Sequence, residues 1–247
     1  MSKRLADEQD AFGHAVWDHY HGNGGFEIIE RSDGRFDISG GPAVYLDVDR
    51  WGSHELAALE HAHGRVLDIG CNAGRHALYL QQRGLAVLGV DTSPLAIAVA
   101  KERGLANAEV LSIDEISAEL GQFDTILMLG NNFGLFGSGS KARRLLKRFK
   151  TLTRPGATLI VETLNVYETK DPDHLNYLAA NRARGRMSGQ LRLRARYKHF
   201  VTPWFDYLMV SPAEMAAIVD GTGWRIAEQY RGAGARPDYT AIIERKD

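Results

Sequence analysis

From residue 64 onward, short β-branched and aliphatic runs alternate with stretches of helical period, the pattern of a parallel sheet covered by helices. The apolar runs predict strands over Arg65–Ile69, Ala86–Val90, Ala108–Leu111, Asp124–Leu129 and Ala157–Glu162. Between them the spacing predicts helices over Gly74–Gln82, Pro94–Arg103 and Lys141–Thr153. The last is expected to stop at Arg154-Pro155-Gly156, because proline cannot continue a helix.

The C-terminal third changes period. Leu191, Leu193, Ala195 and Tyr197 alternate with Arg192, Arg194, Arg196 and Lys198, which predicts a strand with one charged face, and Trp204–Val210 is an extended run able to pair with it. Ser211-Pro212-Ala213-Glu214 then starts a helix, with Ser at the N-cap, Pro at N1 and Glu at N3 of a capping box. Trp224–Tyr230 and Tyr239–Glu244 read as two closing strands joined by the loop Arg231–Asp238. Ahead of the sheet, Leu5, Phe12, Ala15 and Val16 have helical spacing, and Phe26–Glu30 with Arg35–Ile38 reads as a hairpin about Ser32-Asp33-Gly34. The expected organisation is a helix and hairpin lid over residues 1–63, then one α/β domain over 64–247 carrying a small β insert at about 164–210.

Composition narrows the partners. A chain of 247 residues can bury one full core, and a net charge of −1 gives no general attraction to nucleic acid or an anionic membrane, which favours a small-molecule partner. The opening MSKRLADEQD lacks the apolar core of a signal peptide, and no apolar run approaches the ~18 residues of a membrane span, so a cytoplasmic location is expected. The single cysteine, Cys71, excludes an intrachain disulfide and argues against a cysteine-built zinc site; no metal is expected.

The chemistry concentrates at Val66-Leu67-Asp68-Ile69-Gly70-Cys71-Asn72-Ala73-Gly74, an apolar strand ending in a glycine turn that opens a helix. Gly70 and Gly74 allow the turn's dihedrals and let backbone approach a ligand, with Cys71 and Asn72 lining it. A dinucleotide needs G-x-G-x-x-G and a pyrophosphate on the helix N-terminus; that spacing is absent, and Asp68 would repel phosphate. A carboxylate there instead favours a cationic, phosphate-free nucleoside. The next strand ends in Asp91-Thr92-Ser93, where Asp91 is placed to accept from ribose hydroxyls, and after the third strand Asp114 and Glu115 follow Ile113, suited to an adenine amine with an aliphatic neighbour on the ring. Asp124 opens its strand, at the opposite edge, and is read as structural.

Taken in order, Asp68 to Gly74, Asp91, Asp114, Phe123-Asp124 and Arg154-Pro155-Gly156 resemble the marks of class I S-adenosylmethionine-dependent methyltransferases over about residues 64–163. The resemblance implies a Rossmann-like α/β fold, a seven-stranded, mostly parallel sheet with helices on both faces and an antiparallel last strand. It implies S-adenosyl-L-methionine as cofactor and S-adenosyl-L-homocysteine as product, the methionine part at the first turn, ribose on Asp91 and adenine near Asp114. The fourth strand runs into Gly130-Asn131-Asn132-Phe133, which sets two amides and an aromatic beside the sulfonium; Gly130 and Asn131 join the cofactor set. That run is similar to the Gly-Asn-x-Phe segment of glycine N-methyltransferases. Those enzymes carry an arginine just after the fifth strand, where this chain has Glu162-Thr163-Leu164-Asn165, so a neutral or cationic acceptor fits better than glycine.

Methyl transfer from a sulfonium relies on positioning and needs a base only if the nucleophile carries a proton. The candidates for that role are Tyr45, His76, Asn132, Glu162 and His199; His14, His19 and His21 stand beside Trp17 and Tyr20, and Trp204 and Tyr207 lie in the insert. The expected function is a methyltransferase for a small acceptor at nitrogen or oxygen. An RNA methyltransferase and a non-catalytic cofactor-binding regulator are the alternatives. The arginine alternation alone does not favour RNA, since arginines also protect a strand edge.

Overall fold

The computed structural model describes residues 4–39, 51–234 and 237–247, so Tyr45 lies outside the described residues. In chain order the strands are β1 (Ile28–Arg31), β2 (Phe36–Ile38), β3 (Arg65–Ile69), β4 (Ala86–Asp91), β5 (Ala108–Val110) and β6 (Phe123–Met128). They continue with β7 (Thr153–Leu164), β8 (Gln190–Tyr197), β9 (Phe200–Val201), β10 (Phe205–Leu208), β11 (Trp224–Arg231) and β12 (Asp238–Arg245). The helices are α1 (Ala11–Tyr20), α2 (Ser53–Leu59), α3 (Arg75–Gln82), α4 (Pro94–Glu102), α5 (Gly139–Thr151), α6 (Pro172–Ala183) and α7 (Pro212–Val219).

Seven strands form the larger sheet in the order β11-β12-β7-β6-β3-β4-β5. The pairs β3–β4, β4–β5 and β6–β7 are parallel, while β12 runs antiparallel to both neighbours. The α/β fold with one antiparallel strand expected above is the fold observed. A parallel strand is covered on both faces, and Val66, Leu67 and Ile69 of β3 are accordingly buried without alternation.

Local chemistry sets the helix ends. Ser93 caps α4 by accepting from Ala96 N at 3.0 Å with Pro94 at the first turn, and Ser211 with Glu214 closes the predicted capping box on α7. The predicted end of α5 at Thr153 is corrected to Thr151. Thr153 already pairs with Phe123 of β6, and its hydroxyl donates to Phe149 O at 3.0 Å. Arg154-Pro155-Gly156 therefore lies inside the irregular start of β7, across from a register shift, where a proline is tolerated.

The smaller sheet runs β10-β8-β1-β2, with β9 on β8. The predicted hairpin is present, and its first strand also pairs antiparallel with the arginine-bearing strand, Glu30 standing opposite Arg194. Two compact units result: one holds α1, β1 to β5, α3 and α4, the other α2, β6, β7, α5 to α7, β11 and β12.

Candidate functional site

In the first unit the chain turns sharply where β3 ends. Gly70 (φ 75°), Asn72 (φ 48°) and Gly74 (φ 82°) all take left-handed backbone, which suits two glycines and an asparagine. Asn72 stabilises its own turn by accepting from Ala73 N at 2.7 Å, and Gly70 N and Cys71 N both donate to Val90 O. The turn is tied to β4 through Asp91, whose two carboxylate oxygens accept from Asn72 N at 3.0 Å and Ser93 N at 2.9 Å. Cys71 is a packing residue: a Cβ on Gly89 would meet its Sγ at 2.8 Å, and burial pushes its thiol well above the ordinary value.

Asp68 is the anomaly of this unit. It is buried, and its Oδ2 has no hydrogen-bond partner. Burial, reinforced by the Asp91 carboxylate, pushes its pKa up to about 7, with Arg75 and the Ala77 N–H pulling the other way. Asp91 is raised as well, mainly by burial. A buried acid next to a second, partly buried one is costly, and a cationic ligand would relieve both. Further along, Glu115 accepts from Ser112 N at 3.1 Å in a local cap, while Asp114 N donates to Ser112 Oγ. Ser93 is spent as the α4 cap and donates to Asp10 at 2.9 Å; Thr92 O accepts from Leu5 N.

In the second unit a comparable turn follows β6, with Gly130 (φ 70°) and Asn131 (φ 65°) left-handed. Gly130 N donates to Glu162 Oε2 at 2.7 Å, so Glu162 faces inward and is buried. Tyr207 covers this turn: its hydroxyl donates to Asn131 O at 2.6 Å and its ring lies where a Cβ on Gly134 would stand. Asn131 Oδ1 is buried without a partner, whereas Phe133 turns into the core edge-on to Phe136 and does not line the turn as expected.

A family model described as a methyltransferase domain matches residues 66–156. Among curated relatives, a 2-heptyl-1-hydroxyquinolin-4(1H)-one methyltransferase of Mycobacteroides abscessus is 44% identical over 71 residues, covering 26% of this chain and 31% of its own. Glycine N-methyltransferase of Mus musculus is 30% identical over 129 residues, 44% of each chain. The chain thus spans less than half the length of these curated relatives. A solved structure of a SAM-dependent methyltransferase from Bacteroides fragilis, in complex with S-adenosyl-L-homocysteine, matches at TM-score 0.83 and 27% identity, over 99% of this chain and 98% of that one. The methyltransferase-domain match over residues 66–156 and the shared fold support a class I S-adenosylmethionine-dependent methyltransferase.

The remaining candidates sit as packing or surface groups. His76 is buried on α3, edge-on to Trp51 at 4.9 Å and bonded to Arg75. His199 is exposed and lies 4.0 Å from the Phe200 ring, while His14 stacks on Phe200 at 3.5 Å and bonds Asp7. His21 faces Glu102 at 3.3 Å. Asn132 is half-buried in the short 3-10 turn Asn132–Phe136, and Asp124 pairs with Arg154 at 2.8 Å, the structural role expected of it. Asn165 is consumed in capping Tyr167 N and bonding Glu168. The arginines are paired too. Arg194 and Arg196 bond Glu30 at 2.7 Å and 2.5 Å, and Arg192 faces Asp206 at 3.5 Å.

Sequence reasoning missed His54. It sits on α2, buried, at 4.0 Å from both Glu162 Oε1 and Asp238 Oδ2. No motif signals it, because the three residues lie in three distant segments of the chain. No described helix is long and apolar enough to cross a membrane.

Proposed function

We propose that this chain transfers the methyl group of S-adenosyl-L-methionine to a small-molecule acceptor at nitrogen or oxygen. The observation that carries the reading is the buried, unpartnered Asp68 oxygen beside the glycine turn, with Asp91 as its neighbouring acid. A ligand bearing a sulfonium and an ammonium supplies the charge this pair lacks, and a pyrophosphate would worsen it. S-adenosyl-L-methionine, when bound, supplies an already activated methyl group. Asp68 holds the cationic methionine end, Gly70, Cys71, Asn72 and Gly74 give it close backbone, and Asp91, with Thr92 and Ser93 behind it, accepts from the ribose hydroxyls. Asp114 and Glu115 take the adenine side.

Two features support a small acceptor. Both curated relatives reported above are named for small molecules. Each arginine of the strand that would attract RNA is paired with a carboxylate, Arg194 and Arg196 with Glu30 and Arg192 with Asp206. The test is calorimetric titration of the full chain with S-adenosyl-L-methionine, followed by incubation with a metabolite extract and methyl-labelled cofactor. Micromolar binding and label in a small product support the proposal; binding without any transfer indicates a regulator, and absence of binding overturns it.

A further inference from the structure

The register between β7 and β12 sets Glu162 opposite Thr240, and Asp238 two residues earlier on the same face. Helix α2 packs on that face, its His54 carbonyl accepting from Thr240 Oγ1 at 3.1 Å. An imidazole and two carboxylates therefore converge, and their ligand atoms all lie within 4.8 Å of one another. The His54 ring fits only because residue 52 is glycine, since a Cβ there would stand 2.3 Å from His54 Cε1. The other Glu162 oxygen is fixed by the Gly130 N–H at 2.7 Å, the kind of outer support that orients a metal-ligating carboxylate.

What the cluster lacks is a bond at its centre. Both His54 ring nitrogens are buried without a hydrogen-bond partner, although the side chain is only 6% exposed. At 4.0 Å from each carboxylate the Nε2 is too far for a hydrogen bond. Two metal bonds of about 2.1 Å span such a gap, and a dication cancels the charge of both acids. Asp238 also lines an open pocket of about 250 Å³ with Asn165, Glu168 and Arg231, which gives an ion a way in.

We propose that His54, Glu162 and Asp238 bind a divalent first-row transition-metal ion of the zinc or manganese class. One imidazole with two carboxylates suits those ions better than magnesium or calcium, which prefer all-oxygen shells. Three protein ligands leave a coordination position for water or an oxygen atom of a bound molecule. The site does not depend on the methyl-transfer reading.

The test is calorimetric titration of the EDTA-dialysed full chain with Zn²⁺ and, separately, Mn²⁺, with His54→Ala, Asp238→Asn and Asp91→Ala in parallel. One site of micromolar or tighter affinity for at least one ion is expected. Asp238→Asn, at a partly exposed position that should tolerate the change, is expected to weaken it by at least about tenfold and His54→Ala by more, with Asp91→Ala unchanged. The proposal is overturned if the wild type binds neither ion below millimolar concentration, or if Asp238→Asn binds as the wild type does. Loss of S-adenosyl-L-homocysteine binding in Asp91→Ala reads the cofactor site separately, so the two failures are distinguishable.

Discussion

Glu30 and Asp68 are both carboxylates buried in the same unit, and they have opposite surroundings. Glu30 lies across β1 and β8 from Arg194 and Arg196, whose guanidiniums hold its pKa down to about 2. Asp68 lies at the end of β3 with one oxygen unpartnered, and burial drives it up to about 7. A protein that answers one buried acid with two arginines could answer the other. Leaving Asp68 unanswered costs stability, and such strain is retained where a ligand completes the set. The contrast separates a structural ion cluster from a binding site.

The largest expected effect follows from neutralising Asp68. Asp68→Asn is expected to lower affinity for S-adenosyl-L-methionine by about a hundredfold, yet to stabilise the ligand-free protein by on the order of 1–2 kcal/mol at pH 8. Titration and thermal unfolding of one preparation read both signs. A loss of stability would place Asp68 with Glu30 as a structural acid.

Binding should also depend on pH. The ligand requires the Asp68 carboxylate, so below about pH 7 binding must release a proton, and affinity is expected to fall toward about tenfold per unit of acidification. Titrations in buffers of different ionisation enthalpy count the proton, which Asp68→Asn should not release.

Smaller effects concern stability. Glu30→Gln is expected to cost about 1 kcal/mol at neutral pH, a modest value because its arginine partners are partly exposed. The two acids act in different windows. Glu30, with a depressed pKa, contributes stability above about 4.5 that is lost as pH falls toward about 2. Asp68, with a raised pKa, withholds stability progressively as pH rises from 3.8 to about 7. Unfolding curves of Glu30→Gln and Asp68→Asn across that range should each flatten one window.

The Asp68 turn was legible in the sequence because its signal is local: a strand, two glycines four residues apart and an acid at the end of the next strand. The parallel strands were legible for the same reason. Helix α2 escaped notice, being seven residues long with Gly52 at its start and no side-chain cap hydrogen bond. Helix α6 carries a local signal, an Asp171 cap with Pro172 in the first turn, inside the segment expected as a β insert. Pairing of β1 with β8 joins residues far apart in the chain, which periodicity does not specify. His54, Glu162 and Asp238 meet only through the β7–β12 register and the packing of α2, and the sequence carries no trace of that convergence.

The central claim is that the glycine turn with Asp68 and Asp91 holds the cofactor. Titration of wild type and Asp91→Ala with S-adenosyl-L-homocysteine tests it most directly. Micromolar binding to wild type, weakened at least about tenfold in the variant by loss of charged hydrogen-bond acceptors, is the predicted result. Equal affinity of the two proteins, or no binding to either, would contradict it.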